Sequence, residues 1–171
     1  SGHVVDENGE AMSKSKGNSP PPMPFVEKYG ADAMRMFGAL EAGLGSDVRF
    51  SEDRLAGVSK FMTKLWNIAR FISMFPILEE IEFKKLTPAD QWILAELNTI
   101  IERIIPECNL LDFHKPAIEI RGFTWNLFAD HVVEMFKGRA FNTDGLFSSE
   151  EQKSAWFTLH TILKKLVRAL A

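Results

Sequence analysis

What this chain has little of narrows its function before any motif is considered. It holds one cysteine, Cys108, in 171 residues, so no intrachain disulfide can form. No cluster of Cys and His has the spacing of a metal site, which points away from structural zinc and toward a reducing compartment. An inert, half-buried thiol is the expectation for Cys108. There is little net charge: 20 basic against 23 acidic side chains give -3 at pH 7. A chain dominated by phosphate binding would be strongly basic, so any contact with nucleic acid must come from local patches. No apolar run is long enough to span a bilayer, and the opening SGHVVDENGE is too polar for the core of a signal peptide. A cytoplasmic monomer, away from membranes, is therefore expected. The chain starts without Met and ends at VRALA in an unfinished helical pattern, as a piece of something longer would.

What is present is helix. The apolar share of 46% supports a real core, and one change of character divides the chain. Residues 3–12 alternate weakly around Asn8-Gly9, a dipeptide suited to a tight turn, so a short β-hairpin is expected. SPPPMP at 19–24 bars helix by removing donors and extending its neighbours. Phe25 to Tyr29 can make one turn before Gly30, and a short helix over 31–42 brings Ala33, Met34, Phe37 and Leu40 to one face. GLGSDVRF is a loop with an extended tail.

From Ser51 onward four amphipathic helices follow. The first, capped by Ser51 with Glu52 and Asp53 in its first turn, carries Leu55, Val58, Met62, Leu65, Ala69 and Ile72. The second opens TPAD, with Thr87 as cap and Pro88 at the first helical position, and carries Ile93, Leu97, Ile100 and Ile104 as far as Pro106. The third runs from Pro116 to Gly138 through Ile120, Phe123, Leu127, Phe128, Val132 and Met135. In the fourth, Ser148 and Glu151 have capping-box spacing ahead of Ala155, Leu159, Ile162, Leu166 and Leu170. Helices of about 18 to 24 residues joined by loops of roughly 10 residues make an antiparallel bundle the default architecture. Trp66, Trp92, Trp125 and Trp156 are expected inside it, since aromatics at helical spacing usually pack. Basic side chains recur along these helices, and several can line one groove of the kind a phosphate backbone occupies.

The polar stretch AMSKSKGN, residues 11–18, is the remaining feature. Lys14 and Lys16 reach outward from a segment too polar for the core, and Ser13, Ser15, Gly17 and Asn18 can leave backbone amides exposed, a combination suited to an anion. AMSKSKGN resembles the second signature of class I aminoacyl-tRNA synthetases, usually written KMSKS and followed by GN. The continuation VEKYGADAMRMF and then DVRFSEDRLAGVSKFMTKLWNIARF is similar to the valyl, isoleucyl and leucyl subgroup. KLWNIARF, DQWILAELN and FTWNLFADHVVEMFKGR are most similar to its valyl members.

This resemblance implies an enzyme in which ATP and an amino acid give an aminoacyl-adenylate and pyrophosphate, after which the amino acid passes to tRNA. By position in the motif Lys14 is the catalytic lysine that meets the departing pyrophosphate. Ser13, Lys14, Ser15 and Lys16 are the implied ATP-phosphate contacts, and Gly17 gives the loop freedom. Mg2+ is implied only for the full-length enzyme, and no residue here is assigned to a metal. Ala11 stands where the motif's first lysine is expected.

The His-Ile-Gly-His type signature, the amino-acid pocket and the editing domain do not occur in this sequence, so the piece is expected to be inactive alone. Residues 1–18 are expected to be the end of the catalytic domain, 19–50 a connecting or stem-contact-like segment, and 51–171 the anticodon-binding bundle. The implied partner is tRNA, the valine acceptor first, with isoleucyl and leucyl counterparts as near alternatives. Lys60, Lys64, Arg121, Lys164 and Arg168 are candidate tRNA contacts by pattern. A helical interaction module without RNA affinity also suits the negative charge, but it leaves the ordered string of motifs unexplained.

Overall fold

The computed structural model describes residues 3–6, 8–43 and 45–171. Ser1, Gly2, Glu7, which falls in the expected hairpin, and Leu44, which falls in the expected 43–50 loop, lie outside the described residues. The class is mainly α, as expected, with a sheet of two very short strands. Two compact units are formed, one by residues 1–63 with 104–119 and the other by 64–103 with 120–171.

In the first unit the expected short hairpin is present, closed across its arms by Met12 N–H donating to Val4 O at 3.0 Å. Asp6 N–H donates to Glu10 O (2.9 Å) and Gly9 N–H to Asp6 O (3.0 Å), with Gly9 at φ 84°, a value open to glycine at no steric cost. Beyond the turn, Val5 and Ala11 make an isolated antiparallel bridge. A second partner comes from far along the chain: β1 (Val4–Val5) pairs in parallel with β2 (Val48–Arg49). Val48 N–H reaches His3 O at 2.8 Å and Phe50 N–H reaches Val5 O at 2.9 Å.

Between the strands, α1 (Met23–Tyr29) begins inside the proline run, where helix is not expected. It can do so because Pro22 and Pro24 occupy the cap and second position, where no helical partner needs their missing N–H. Gly30 stops it and leads into α2 (Ala31–Glu41), which buries Ala33, Met36, Phe37 and Leu40. Met36, rather than Met34, faces inward. Phe50 packs edge-on against Phe25 and Phe37, with ring centres 5.0 and 5.8 Å away.

The long helices are α3 (Glu52–Ile72) and α4 (Pro88–Asn109), a rod over residues 114–141, and α7 (Ser149–Leu170). On α3 the buried line is Leu55, Val58, Phe61, Ile68 and Ile72. The expected Met62, Leu65 and Ala69 flank it at the half-buried edge. Helix α4 does not end before Pro106 but runs three residues past it. An exposed proline in a last turn costs one bond, whose orphaned carbonyl can turn to water.

The rod departs furthest from expectation. It consists of α5 (His114–Gly122), a π-helical stretch over Phe123–Val132 and α6 (Val133–Phe141). Val133 N–H donates to Phe128 O, five residues back. Each wider turn takes an extra residue, so the buried positions fall at Phe123, Thr124, Phe128, Val132 and Val133, and Phe136 turns inward. Met135, expected inside, is 58% exposed.

In the second unit these helices alternate in direction. Asp90 near the start of α4 meets Arg139 near the end of the rod and Ser154 near the start of α7, while Lys64 of α3 meets Asp130 of the rod. Ile93, Leu97, Phe128, Val132, Leu159, Ile162 and Leu166 are fully enclosed. Trp66 and Trp92, expected in the core, are 67% and 45% exposed.

Candidate functional site

Lys14–Lys16 form one 3-10 turn at the edge of the first unit. Ser13 is its extended N-cap, and its Oγ accepts from Lys16 N–H at 3.3 Å. The two serine hydroxyls lie 3.1 Å apart. Gly17 closes the turn in the left-handed region at φ 72°, ψ 6°, donating its N–H to Lys14 O at 3.2 Å. A side chain there would be strained, so the backbone itself requires the glycine.

The turn rests on two side chains that sequence reasoning does not single out as site residues. Asn18 Oδ1 accepts Ser13 N–H at 2.9 Å, and Asn18 Nδ2 donates to Asp6 Oδ2 at 3.1 Å and to Ala11 O at 3.4 Å. Asp6 Oδ1 in turn accepts N–H bonds from Asn8 at 3.0 Å and Glu10 at 2.9 Å. The backbone N–H of Glu10 and then the Asn18 amide hold the Asp6 carboxyl below the usual carboxylate range, outweighing desolvation. The available signals are the Asp-x-Asn-Gly turn and the Asn after the glycine, neither of which announces a contact twelve residues away.

Lys14 is exposed and has no ion pair among the described residues. Lys16 lies 3.9 Å from Glu10, both largely exposed, an attraction worth little in water. Ala11 carries no charge, so the exposed cations of this turn are Lys14 and Lys16.

The helical candidates are not equivalent. Lys60 belongs to the first unit and is exposed. In the second unit Arg121, Lys164 and Arg168 are exposed and without an ion pair among the described residues. Lys64 is already engaged: its Nζ lies 2.6 Å from Asp130 Oδ1 and 4.0 Å from the centre of the Trp125 ring. Arg139, in the sequence one more basic side chain, is 7% exposed. Its guanidinium grips the Asp90 carboxylate at 2.5 and 2.6 Å and Thr87 Oγ1 at 2.7 Å. It is structural, and closed to a ligand.

Comparison with known proteins gives the geometry its context. Residues 1–51 match the family of class I tRNA synthetases (I, L, M and V), and residues 90–171 match the anticodon-binding domain of tRNA ligases. The chain is thus similar to class I tRNA synthetases in two separate regions. The valine--tRNA ligase of Aeropyrum pernix is 42% identical over 167 residues, 98% of this chain and 20% of the relative. That of Pyrobaculum aerophilum is 41% identical over 170 residues, 99% of this chain and 21% of the relative. The chain thus spans about a fifth of the length of the curated relatives it matches. Among solved structures, the LeuRS–tRNA–LeuAMS ternary complex from Agrobacterium radiobacter K84 superposes with a TM-score of 0.72 at 19% identity, covering 99% of this chain and 20% of that one. It establishes the shared fold. Among the described residues no helix is long and apolar enough to cross a membrane.

Proposed function

We propose that the polypeptide containing this chain is a valine--tRNA ligase, that residues 11–18 deliver charge to the triphosphate of ATP, and that the bundle binds the anticodon arm of tRNA. Two observations carry the reading: valine--tRNA ligases match along almost the whole chain, and the motif lysine is, at Lys14, a cation without an ion pair among the described residues, on an exposed turn.

In the reaction an oxygen of the valine carboxylate bonds to the α-phosphorus of ATP. The bond from that phosphorus to the bridging oxygen breaks, and its electron pair leaves with pyrophosphate. No proton or electron is needed from outside. Negative charge gathers on the leaving group, so an ammonium that closes on it only in the transition state lowers the barrier more than one bound equally throughout. Lys14 is in that role. The Ser13 and Ser15 hydroxyls orient the phosphates, and Lys16 adds a weaker charge in place of the lysine absent at position 11. Mg2+ enters with ATP as part of the substrate. Among the described residues no group of three or more His, Cys, Asp or Glu can hold a metal ion, so no step is assigned to one here.

The test uses the full-length enzyme. Valine-dependent exchange of pyrophosphate into ATP is expected, exceeding that with isoleucine or leucine. Lys14→Ala is expected to slow adenylate formation at least 10²-fold, a loss of roughly 3 kcal/mol of transition-state stabilisation. Single-turnover rates within about threefold of the unaltered enzyme would refute the role of Lys14.

A further inference from the structure

We infer that Asp6 and Asn18 are positioning residues for the activation step: their side-chain clasp holds the Lys14 turn in the shape that presents its ammonium to the leaving pyrophosphate. This rests on the reading of Lys14 given above and extends it to two side chains that never touch the nucleotide.

The geometry is specific. The turn has few restraints of its own: an exposed 3-10 turn of three residues, closed by one glycine and capped by one serine. A 3-10 turn has poorer hydrogen-bond geometry than an α-helical one and gains from outside support. Asn18 supplies what is missing, because its one amide ties the residue that starts the turn, through Ser13 N–H, to the strand side of the loop, through Asp6 and Ala11 O. Asp6 is itself fixed by two backbone N–H donors within its own turn. The aspartate turn therefore acts as a footing and the asparagine as a strut, with Lys14 at the free end.

With no lysine at position 11, the neighbouring cation Lys16 leans toward Glu10. More of the stabilisation of the departing charge then depends on where Lys14 stands, and a misplacement of about 1 Å can cost 10²-fold in rate.

The donor and acceptor order of the clasp provides the test. Asp6→Asn sets an amide NH2 against the Asn18 NH2, and Asn18→Asp sets two carboxylates against each other. The double substitution D6N/N18D restores one donor facing one acceptor and keeps an acceptor for Ser13 N–H, giving up only the longer bond to Ala11 O. In the full-length enzyme each single variant is expected to slow adenylate formation about tenfold or more with the KM for ATP nearly unchanged, and the double variant is expected to recover most of the loss. Transfer of valine to tRNA from supplied valyl-adenylate, which does not use the departing pyrophosphate, is expected to be unaffected in all three.

Single variants that react at the normal rate while Lys14→Ala is slow would overturn the clasp and leave Lys14 in place. Equal losses in adenylate formation and in transfer would show a general structural defect and also overturn it, as would a double variant no faster than the singles. A normal rate for Lys14→Ala would remove the reading beneath it.

Discussion

Arg139 shows how far a residue's charge can mislead about its task. It joins α6 to the start of α4 through Asp90 and Thr87, its guanidinium lies 4.4 Å from the centre of the Phe136 ring, and Ser154 of α7 also donates to Asp90. Burial raises the Asp90 carboxyl, but hydrogen bonds from Arg139, Ser154 and Thr87 together hold it below the usual range. A carboxylate depressed by folding contributes stability above its unfolded value and loses it as pH falls through the folded one. Unfolding free energy is therefore expected to be flat in this respect from pH 7 to 5 and to fall below about pH 4. Asp90→Asn strands a buried guanidinium and is expected to cost about 3–5 kcal/mol at neutral pH. It is also expected to weaken the acid-side loss, and denaturant unfolding across pH measures both.

Individual elements differ in how openly the sequence declares them. Helix α7 is the clearest: Ser148 Oγ accepts from Glu151 N–H at 3.2 Å while Glu151 Oε2 accepts from Ser148 N–H at 2.8 Å. Both halves of the capping box that Ser148 and Glu151 announce are thus made. Ser148→Ala is expected to cost about 1 kcal/mol of stability, read in thermal or urea unfolding. The rod is only partly legible. Its existence follows from its apolar repeat, but a change from α to π winding alters the repeat without any residue that signals it, which is why the repeat points Met135 inward and the structure turns Phe136 in instead. Pro106 misleads for a related reason, since the cost of a proline depends on whether the carbonyl it orphans can reach water. Trp66 and Trp92 lie outside the core because an apolar stripe is wider than the face a helix buries. The Lys14 turn is legible through its motif, whereas the Asp6–Asn18 brace is not, because a side-chain bond across a turn leaves no periodic trace.

At the scale of the whole molecule, a net charge of -3 means that the proposed tRNA affinity has to come from where the cations stand. Binding by the full-length enzyme is expected to weaken steeply with salt. Replacing Lys164 or Arg168 with Ala is expected to make the dependence of log affinity on log salt shallower by roughly 0.7–0.9 for each phosphate that the side chain neutralises. An unchanged slope in a filter-binding or fluorescence titration would remove that residue from the interface. Lys64 is expected to respond differently, because Asp130 and the Trp125 ring compete with RNA for its ammonium.

The parallel pairing of Val4–Val5 with Val48–Arg49 makes the stretch between them a closed noose whose knot is two residues wide. The lysine turn hangs from one side of that knot and α3 leaves from the other. Tension applied where the chain passes into α3 is thus handed to the root of the lysine turn through backbone alone, with no intervening side chain to absorb it.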